Sequence, residues 1–238
     1  MRTAFRAIAP EHPCAYLPTQ LARLEYEHVV ELSPEEYMGR MLQGWRRFGH
    51  DLFRPRCRLC AACQPLRIDV ARFRPDRSQR RAGRANAGST RIEVAPPTVT
   101  RAHLDLFARY HAHQARAKHW PSRDDEGPAS YRATFVDNPL PTQEWRYWRD
   151  DELVGVGYVD DLPGGLSAIY FYYDPDDRDL SLGTWNVLSL IAHAAQRGLP
   201  HVYLGYYVAG CPSMAYKARF APNQILGEDG RWRDFRGG

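Results

Sequence analysis

An acidic turn between a strand and a helix, YFYYDPDDRDLSLGT, combines residue types that suit proton transfer and anion binding. Asp174 follows the strand, directly after Tyr173, and its carboxylate could accept a proton. Ser181 and Gly183 open the following helix, whose unpaired N–H groups attract a phosphate or a developing oxyanion. The alternative is structural, since an Asp-Pro turn and a Ser helix cap would give the same letters.

Two cations and three tyrosines occur in the block GYYVAGCPSMAYKARF. Lys217, one of only two lysines in the chain, and Arg219 could pair with a carboxylate substrate. Tyr206 lies near the end of the preceding strand and is a third candidate for substrate contact. The alternative is that each cation covers an apolar face with its stem.

Three of the five cysteines stand at x2 spacing in CRLCAAC: Cys57, Cys60 and Cys63. Thiolates at this spacing bind zinc or iron–sulfur clusters, and structural zinc takes four ligands. Cys14 is the candidate for the fourth ligand, with His12 and His50 as alternatives. Metal-free packing stays open. The odd number of cysteines argues against a disulfide framework.

Positive charge is concentrated between residues 40 and 91, which hold fourteen Arg, three Asp and no Lys or Glu, a local net charge of +11. The whole chain carries only +4. Such asymmetry favours an anionic partner, most commonly nucleic acid. The stretch RPDRSQRRAGR predicts a short basic helix on which Arg77 and Arg80 are candidate binding residues. A solvated basic surface without a partner is the alternative.

The elements that must position these residues indicate an α+β fold. The segment Ser33-Pro34-Glu35-Glu36 predicts a helix start, with a capping serine and proline at the first helical position. The runs QEWRYWR, ELVGVGYVD and LSAIYFYYD, separated by turn residues, predict an antiparallel meander. A helix from Leu182 to its cap at Gly198 and the strand HVYLGYY follow. This order is typical of an N-acetyltransferase-like (GNAT-like) domain, whereas residues 1–30 look irregular.

A break in composition at Ala95-Pro96-Pro97 predicts a domain boundary. It divides the chain into a smaller α+β, Cys- and Arg-rich domain at residues 1–95 and a GNAT-like domain with a mostly antiparallel sheet at 96–238. No apolar run approaches the roughly 18 residues of a membrane span, and the N-terminus lacks the apolar core of a secretory signal. We therefore expect a cytoplasmic protein without membrane contact.

Four blocks together resemble the arginyl-/leucyl-tRNA–protein transferases, in family order over nearly the whole chain: CAYLP, FRPRCRLCAACQPLRIDV with FRPDRSQRR, YFYYDPDDRDLSLGT and LGYYVAGCPSMAYKARFAP. The length and the CRLCAAC form are most similar to the bacterial, leucine-transferring branch. Ser213 stands where the family often has a basic residue. Leu17 stands where eukaryotic relatives have a second cysteine, which leaves the transfer of their metal site to this chain open.

The resemblance implies an enzyme that moves leucine from Leu-tRNA to the N-terminal amine of proteins beginning with Asp or Glu, marking them for the N-degron pathway. The aminoacyl ester is already activated, so the aminoacyl-tRNA co-substrate is expected to suffice without a further cofactor. Asp174, with Tyr173 nearby, would help to remove the proton of the amine. Ser181 and the N–H groups at Gly183 would stabilise the oxyanion or hold the terminal adenosine of the tRNA.

The same resemblance implies that the cations hold the acidic side chain of the acceptor. Lys217 and Arg219 would do so directly, with Arg77 and Arg80 as additional contacts. No residue is assigned to the pocket for the transferred amino acid, so arginine stays open as the donor. The oligomeric state is not indicated by the sequence.

Two other classes of function remain as alternatives. A coenzyme A-dependent N-acetyltransferase needs a glycine-rich R/QxxGxG loop before the helix, and LSLGT has a single glycine. A non-catalytic RNA-binding module would explain the basic block and CRLCAAC, but not the acidic turn or the Lys-Arg cluster.

Overall fold

A four-stranded antiparallel sheet forms the N-terminal part of the chain in the computed structural model, which describes residues 1–118, 127–235 and 237. Its spatial order is β1-β4-β6-β5. The strands are β1 (Arg2–Ile8), β4 (Leu24–Glu31), β5 (Arg46–Phe48) and β6 (Asp51–Pro55). Between the first two, β2 (His12–Pro13) and β3 (Leu21–Ala22) form a short ladder.

The expectation of irregular structure at residues 1–30 is therefore wrong. β1 is an edge strand whose residues are almost all exposed, so it has no buried stripe that a sequence pattern could reveal. It is held by backbone pairing with β4. Edge strands of this kind depend on their partner rather than on their own hydrophobic alternation.

The predicted helix start at Ser33 is confirmed. Helix α1 (Pro34–Leu42) begins with a capping box in which the Ser33 side chain accepts from the N–H of Glu36, and the Glu36 carboxylate accepts from the N–H of Ser33. Tyr37 and Met41 are its buried face.

An eight-stranded, mostly antiparallel sheet carries the rest of the chain, in the order β14-β13-β7-β12-β11-β10-β9-β8. The predicted meander of three strands is confirmed as β9 to β11. The strands are β7 (Gln64–Asp69), β8 (Arg91–Ala95), β9 (Thr142–Arg149), β10 (Glu152–Leu162), β11 (Gly165–Tyr173), β12 (His201–Tyr207), β13 (Asn223–Leu226) and β14 (Trp232–Phe235). The mixed α+β class is thus confirmed.

This sheet takes strands from both sides of the boundary predicted at residue 95. β7 pairs with β12 and β13, and β8 pairs with β9. The boundary lies at the end of β8 and does not separate two independent sheets. The division into domains at residues 1–95 and 96–238 stays a prediction.

Helices cover both faces of the large sheet. Helix α5 packs on one face through Leu182, Leu190 and Ala194, and α3 packs on the other through Leu106 and Phe107. The helices after α1 are α2 (Arg77–Asn86), α3 (Arg101–Lys118), α4 (Pro128–Tyr131), α5 (Leu182–Gln196) and α6 (Pro212–Ala215). A π-helical turn (Arg132–Val136) and two 3-10 helices (Arg178–Leu180 and Tyr216–Arg219) complete the set in the described ranges. None of the described helices is long and apolar enough to cross a membrane.

The parallel pair β11 and β12 separates along its length. The two strands pair only over Gly165–Ser167 and His201–Tyr203. Beyond this ladder β11 stays paired with β10 up to Tyr173, while β12 stays paired with β7 up to Tyr207. A cleft therefore opens between their carboxyl ends, which is a position where α/β sheets commonly bind ligands.

Replacing Gly165 by alanine is expected to destabilise the fold by more than about 3 kcal/mol in urea unfolding. A Cβ there would lie 2.1 Å from the His201 carbonyl oxygen, at a φ of +144°. Gly39→Ala is the control, because a Cβ at this position in α1 meets nothing within 4 Å. We expect it to stabilise by about 0.5–1 kcal/mol. Similar effects at both positions would mean that the short ladder tolerates displacement.

Candidate functional site

The acidic turn and the Lys-Arg cluster lie at the two sides of the cleft. Asp174 follows the end of β11 and leads through a turn to α5, and the 3-10 helix that carries Lys217 follows β12. Helix α2 makes hydrogen bonds to both sides of the cleft. Gln79 donates to the Arg219 carbonyl at 3.0 Å, and Asn86 donates to the Leu180 carbonyl at 2.7 Å. One helix from the basic block thus holds the two halves in place.

Asp174 is buried and both of its carboxylate oxygens have partners. Oδ1 accepts from the N–H of Asp176 at 3.0 Å, which forms a local Asx turn. Oδ2 pairs with Arg109 of α3 at 2.8 Å. The structural interpretation of the Asp-Pro turn is therefore realised. Each carboxylate oxygen has two lone pairs, so these two contacts leave acceptor capacity for a substrate.

Tyr173 connects the two sides of the cleft. A Cβ added at Gly183 would lie 3.9 Å from Cε1 of Tyr173, so the tyrosine ring packs on the first turn of α5. On the other side, burial and then the proximity of Tyr173 raise the pKa of Tyr216 to about 12. Tyr216 directly precedes Lys217, so the structure brings the two predicted clusters together.

The structural alternative in which the Ser181 side chain caps α5 is wrong. Ser181 has a left-handed backbone (φ 52°, ψ 46°), and its side chain makes no capping hydrogen bond. Its carbonyl accepts instead from Thr184 at 2.8 Å and Trp185 at 3.0 Å. A non-glycine residue in this conformation costs about 1 kcal/mol or more and is concentrated at functional sites. Ser181 itself is exposed.

Lys217 is buried, with 8% exposure, beside a bulge in β12. Its Nζ donates to the Tyr206 carbonyl at 2.7 Å and contacts the Met214 sulfur at 3.5 Å. Burial, and then the charge of Arg46, lower the pKa of Lys217 to about 7, whereas the thiols of Cys211 and Cys63 act in the opposite direction. In the described part of the chain no acidic group pairs with this amine.

The remaining substrate-binding candidates do not join Lys217. Arg219 is exposed and donates to the Ser78 hydroxyl at 2.7 Å, at the start of α2. Arg77 and Arg80 lie on the exposed face of the same helix. The Tyr206 hydroxyl is directed away from the cleft, because it donates to the Gly44 carbonyl at 2.8 Å and is buried. Tyr206 contributes its backbone carbonyl instead.

The cysteines of CRLCAAC are neighbours of one another. Burial and then the charges of Cys14, Cys57 and Cys60 raise the pKa of the Cys63 thiol to about 12. Among the described residues, no group of three or more His, Cys, Asp or Glu is arranged to hold a metal ion. Metal binding by Cys14, Cys57, Cys60 and Cys63 stays a prediction, and the chemistry below does not use it.

Two arginines at the site escaped sequence reasoning. Arg109 pairs with Asp174 from α3. Arg46 donates to the Gly205 carbonyl at 3.3 Å and acts on the pKa of Lys217. Arg46 is one of fourteen arginines in the basic block, and nothing in its local pattern separates it from the solvated ones.

Two surface depressions elsewhere contain none of the candidate residues. One, of about 340 Å³, lies at the end of α2 next to Trp148 and Asp151. The other, of about 710 Å³, is an apolar groove between α5 and the segment after β7. Neither depression is therefore part of the candidate site.

The chain is similar throughout its length to one family of enzymes. Two models described as "Arginine-tRNA-protein transferase" match it, the N-terminal one at residues 12–81 and the C-terminal one at residues 102–227. Among curated proteins it is similar to "Aspartate/glutamate leucyltransferase" of Halorhodospira halophila, at 40% identity over 93% of both chains. The protein of that name from Alkalilimnicola ehrlichii is 39% identical, over 93% of this chain and 92% of the relative.

A third relative, again named "Aspartate/glutamate leucyltransferase", comes from Campylobacter jejuni and is 36% identical over 91% of this chain and 90% of the relative. Among solved structures, FemX is similar with a TM-score of 0.47 and 9% identity, over 84% of this chain and 79% of FemX. A likeness at that level carries no argument about fold or function.

Replacing Lys217 by methionine is expected to stabilise the protein by about 2 kcal/mol at about pH 7, because it removes a buried charge without an acidic partner. The pKa is 10.5 in an ordinary lysine and about 7 here, so between these values the unfolded chain binds the proton more readily. The wild type therefore loses stability as pH falls from 10.5 towards 7. The gain should accordingly shrink when urea unfolding is repeated at about pH 9.5.

Arg47→Met is the matched control for this prediction. Arg47 is also buried, but it pairs with Asp160 and bonds Asn138, Thr142 and the Gly49 carbonyl. Its loss leaves Asp160 unpaired and should cost about 3–5 kcal/mol. If the Lys217→Met protein is less stable than wild type at about pH 7, the hypothesis that the buried Lys217 destabilises the fold is wrong.

Proposed function

The chain belongs to the arginine-tRNA-protein transferase family, and we propose that it transfers leucine from Leu-tRNA to the N-terminal amine of proteins that begin with Asp or Glu. The enzyme class is an aminoacyltransferase. The observation that carries the proposal is similarity at 36–40% identity over more than nine-tenths of the chain to relatives named for this reaction. The buried, acid-free Lys217 fits the acidic acceptor.

The choice of leucine rests on the names of the relatives. The family models carry the name of arginine, whereas the three curated relatives described above are named leucyltransferases. Arginyl transfer to the same acceptors is the alternative. A donor pocket for arginine would need an acidic lining, and a pocket for leucine would be apolar.

The reaction exchanges one acyl bond for another. The α-amine of the acceptor attacks the ester carbonyl, a C–N bond forms, and the C–O bond to the terminal ribose of the tRNA breaks. The amine loses one proton and the departing ribose oxygen gains one, so no oxidant or reductant is needed. The ester is activated in advance, and the protein must chiefly position the two reactants and stabilise the oxyanion.

The GNAT-like character of the C-terminal half is part of the proposal. It is supported by the antiparallel meander β9–β11, the crossover helix α5 and the parallel strand β12 that separates from β11. In such an arrangement the acyl donor lies at the start of the crossover helix, and the acceptor amine approaches through the cleft. A cytoplasmic location is likewise proposed, since charged tRNA is found there.

Asp174 is proposed to receive the proton of the acceptor amine, with Tyr173 beside it. The α-ammonium group has an ordinary pKa of roughly 7.7–8.0, so it must lose a proton before attack. Asp174 retains unused lone pairs and is held in place by Arg109 and the Asx turn. The first N–H groups of α5, at Gly183, together with the Ser181 hydroxyl, are proposed to hold the oxyanion or the terminal adenosine.

Arg77, Arg80 and Arg219 are proposed to contact the RNA backbone of the donor rather than the acceptor. They are exposed around the start of α2, where a phosphodiester can reach them. In this role, replacing one of these arginines by a neutral residue should reduce the slope of log affinity for tRNA against log salt concentration by about 1. The use of acidic peptides should be retained.

The transfer assay tests the proposed function. Purified protein with radiolabelled Leu-tRNA is expected to label peptides beginning with Asp or Glu and to leave an Ala-headed peptide unlabelled, with Arg-tRNA at least about 10-fold poorer. Better use of Arg-tRNA would favour the arginyl alternative. Labelling from acetyl-coenzyme A, or tRNA binding without transfer from either charged tRNA, would favour the acetyltransferase or the RNA-binding module.

Replacing Asp174 by asparagine is expected to lower kcat by about 100-fold, with the KM for the Asp-headed peptide and the affinity for tRNA within about 3-fold of wild type. Asp137→Asn removes an exposed carboxylate that pairs only distantly with Arg132, at 3.7 Å, and is the control. Thermal unfolding of both variants checks the turn. An Asp174→Asn enzyme with unchanged kcat would show that the carboxylate does not take the proton.

A further inference from the structure

Arg46 is a buried cation with almost no hydrogen-bond partners. The residue is 6% exposed, and its NH2 group donates to the Gly205 carbonyl at 3.3 Å. Nε and NH1 have no partner among the described residues. A guanidinium carries five N–H donors, and leaving them unpaired away from water is costly. Such a group calls for an explanation outside the chain itself.

Lys217 is a second buried cation that donates to a backbone carbonyl, on the peptide group next to the one that Arg46 contacts. Arg46 holds the Gly205 carbonyl and Lys217 holds the Tyr206 carbonyl, so the two cations meet at consecutive peptide groups of β12. A β-bulge creates this arrangement, because Leu204 and Gly205 together oppose Leu66 of β7. Gly205 has a φ of +80°, and a Cβ there would lie 3.7 Å from the Lys217 amine. The missing side chain leaves room beside that amine.

The neighbouring residue shows that the fold can satisfy a buried arginine. Arg47 pairs with Asp160 and bonds Asn138 and Thr142, so its charge and its donors are balanced. At Arg46 and Lys217, the described residues supply backbone carbonyls, a thioether and tyrosine rings, but no carboxylate. Two adjacent buried cations without a counterion destabilise the protein when no ligand is bound. The same two cations would bind an anion strongly.

We propose that Arg46 and Lys217 together bind the side-chain carboxylate of the acceptor's N-terminal Asp or Glu, with Arg46 as a specificity-determining residue. The proposal rests on the proposed function. The carboxylate would supply the negative charge that these two cations lack among the described residues. It would also accept hydrogen bonds from the guanidinium of Arg46 and the ammonium of Lys217. The rings of Tyr203 and Tyr206, with centroids 5.9 and 6.0 Å from the guanidinium carbon, would wall the pocket.

A carboxylate fits this place better than an RNA phosphate. Both cations are more than nine-tenths buried, and a phosphodiester arrives with a nucleoside on each side. The exposed arginines of α2 offer the open surface that an RNA backbone requires. One acidic side chain can enter alone. Its neutral amide counterpart would leave two buried cations uncompensated, which is a strong basis for rejecting Asn and Gln.

The test is calorimetric binding of two peptides that differ only in an N-terminal Asp or Asn, without any tRNA. Wild type is expected to prefer the Asp peptide by about 100-fold or more. Arg46→Gln should weaken binding of the Asp peptide by about 30- to 100-fold and leave the Asn peptide within about 3-fold. Arg46→Lys keeps the charge and should lose only about 3- to 10-fold.

Arg54→Gln is the matched control. Arg54 lies on the adjacent strand β6, pairs with Glu25 at 2.7 Å and contributes the same positive charge. It should leave the Asp-to-Asn preference unchanged, which excludes a general effect of net charge. Thermal unfolding of every variant verifies the fold. If Arg46→Gln does not fold, the same preference is measured in Arg46→Lys, where an unchanged value overturns the proposal.

Each further outcome decides the matter. An unchanged Asp-to-Asn preference in Arg46→Gln overturns the proposal, and so does a loss of tRNA affinity without a change in peptide preference. Binding that depends on Arg46 but is followed by no transfer from Leu-tRNA or Arg-tRNA supports the pocket and defeats the proposed function. If transfer to the Asp-headed peptide is unchanged in Arg46→Gln, the proposed function is supported and the pocket is contradicted.

Discussion

The short parallel ladder between β11 and β12 is the constraint on which the site depends. Three paired residues on each strand fix the two strands at one end, and outer neighbours then draw them apart. Gly165 makes this contact possible because a Cβ would collide with the His201 carbonyl. Beyond the ladder, Asp174 follows the end of β11 on one side of the cleft and Lys217 follows β12 on the other.

The cleft is kept open by polar contacts from a helix outside it. Gln79 and Asn86 are the buried polar residues of α2, and each holds a backbone carbonyl on a different side of the site. The arginines on the opposite face of α2 remain in solvent. A single short helix thus separates two tasks, since its inner face fixes the geometry of the site and its outer face carries charge.

Local signals in the sequence identified most elements, and long-range pairing accounts for most of what they missed. The capping box at Ser33 and the turn-separated meander are encoded within a few residues, and both are confirmed. β1 is exposed and is specified by pairing with β4, which no local period can show. Serine is a residue type that often caps helices, but Ser181 has a left-handed backbone and its side chain makes no capping hydrogen bond. Lys217 was visible as a rare residue, whereas Arg46 is one of fourteen arginines in the basic block and is distinguished only by being buried with unpaired donors.

The bulge in β12 is a place where the two halves of the chain meet. The two carbonyls that it presents are held by Arg46, within the region matched by the N-terminal family model, and by Lys217, within the region matched by the C-terminal one. The N-terminal half of the chain thus contributes one of the two cations at this bulge, and the C-terminal half contributes the other. Arg46 and Lys217 are therefore an interdependent pair, because a substitution of Arg46 in one half alters the electrostatic environment of Lys217 in the other.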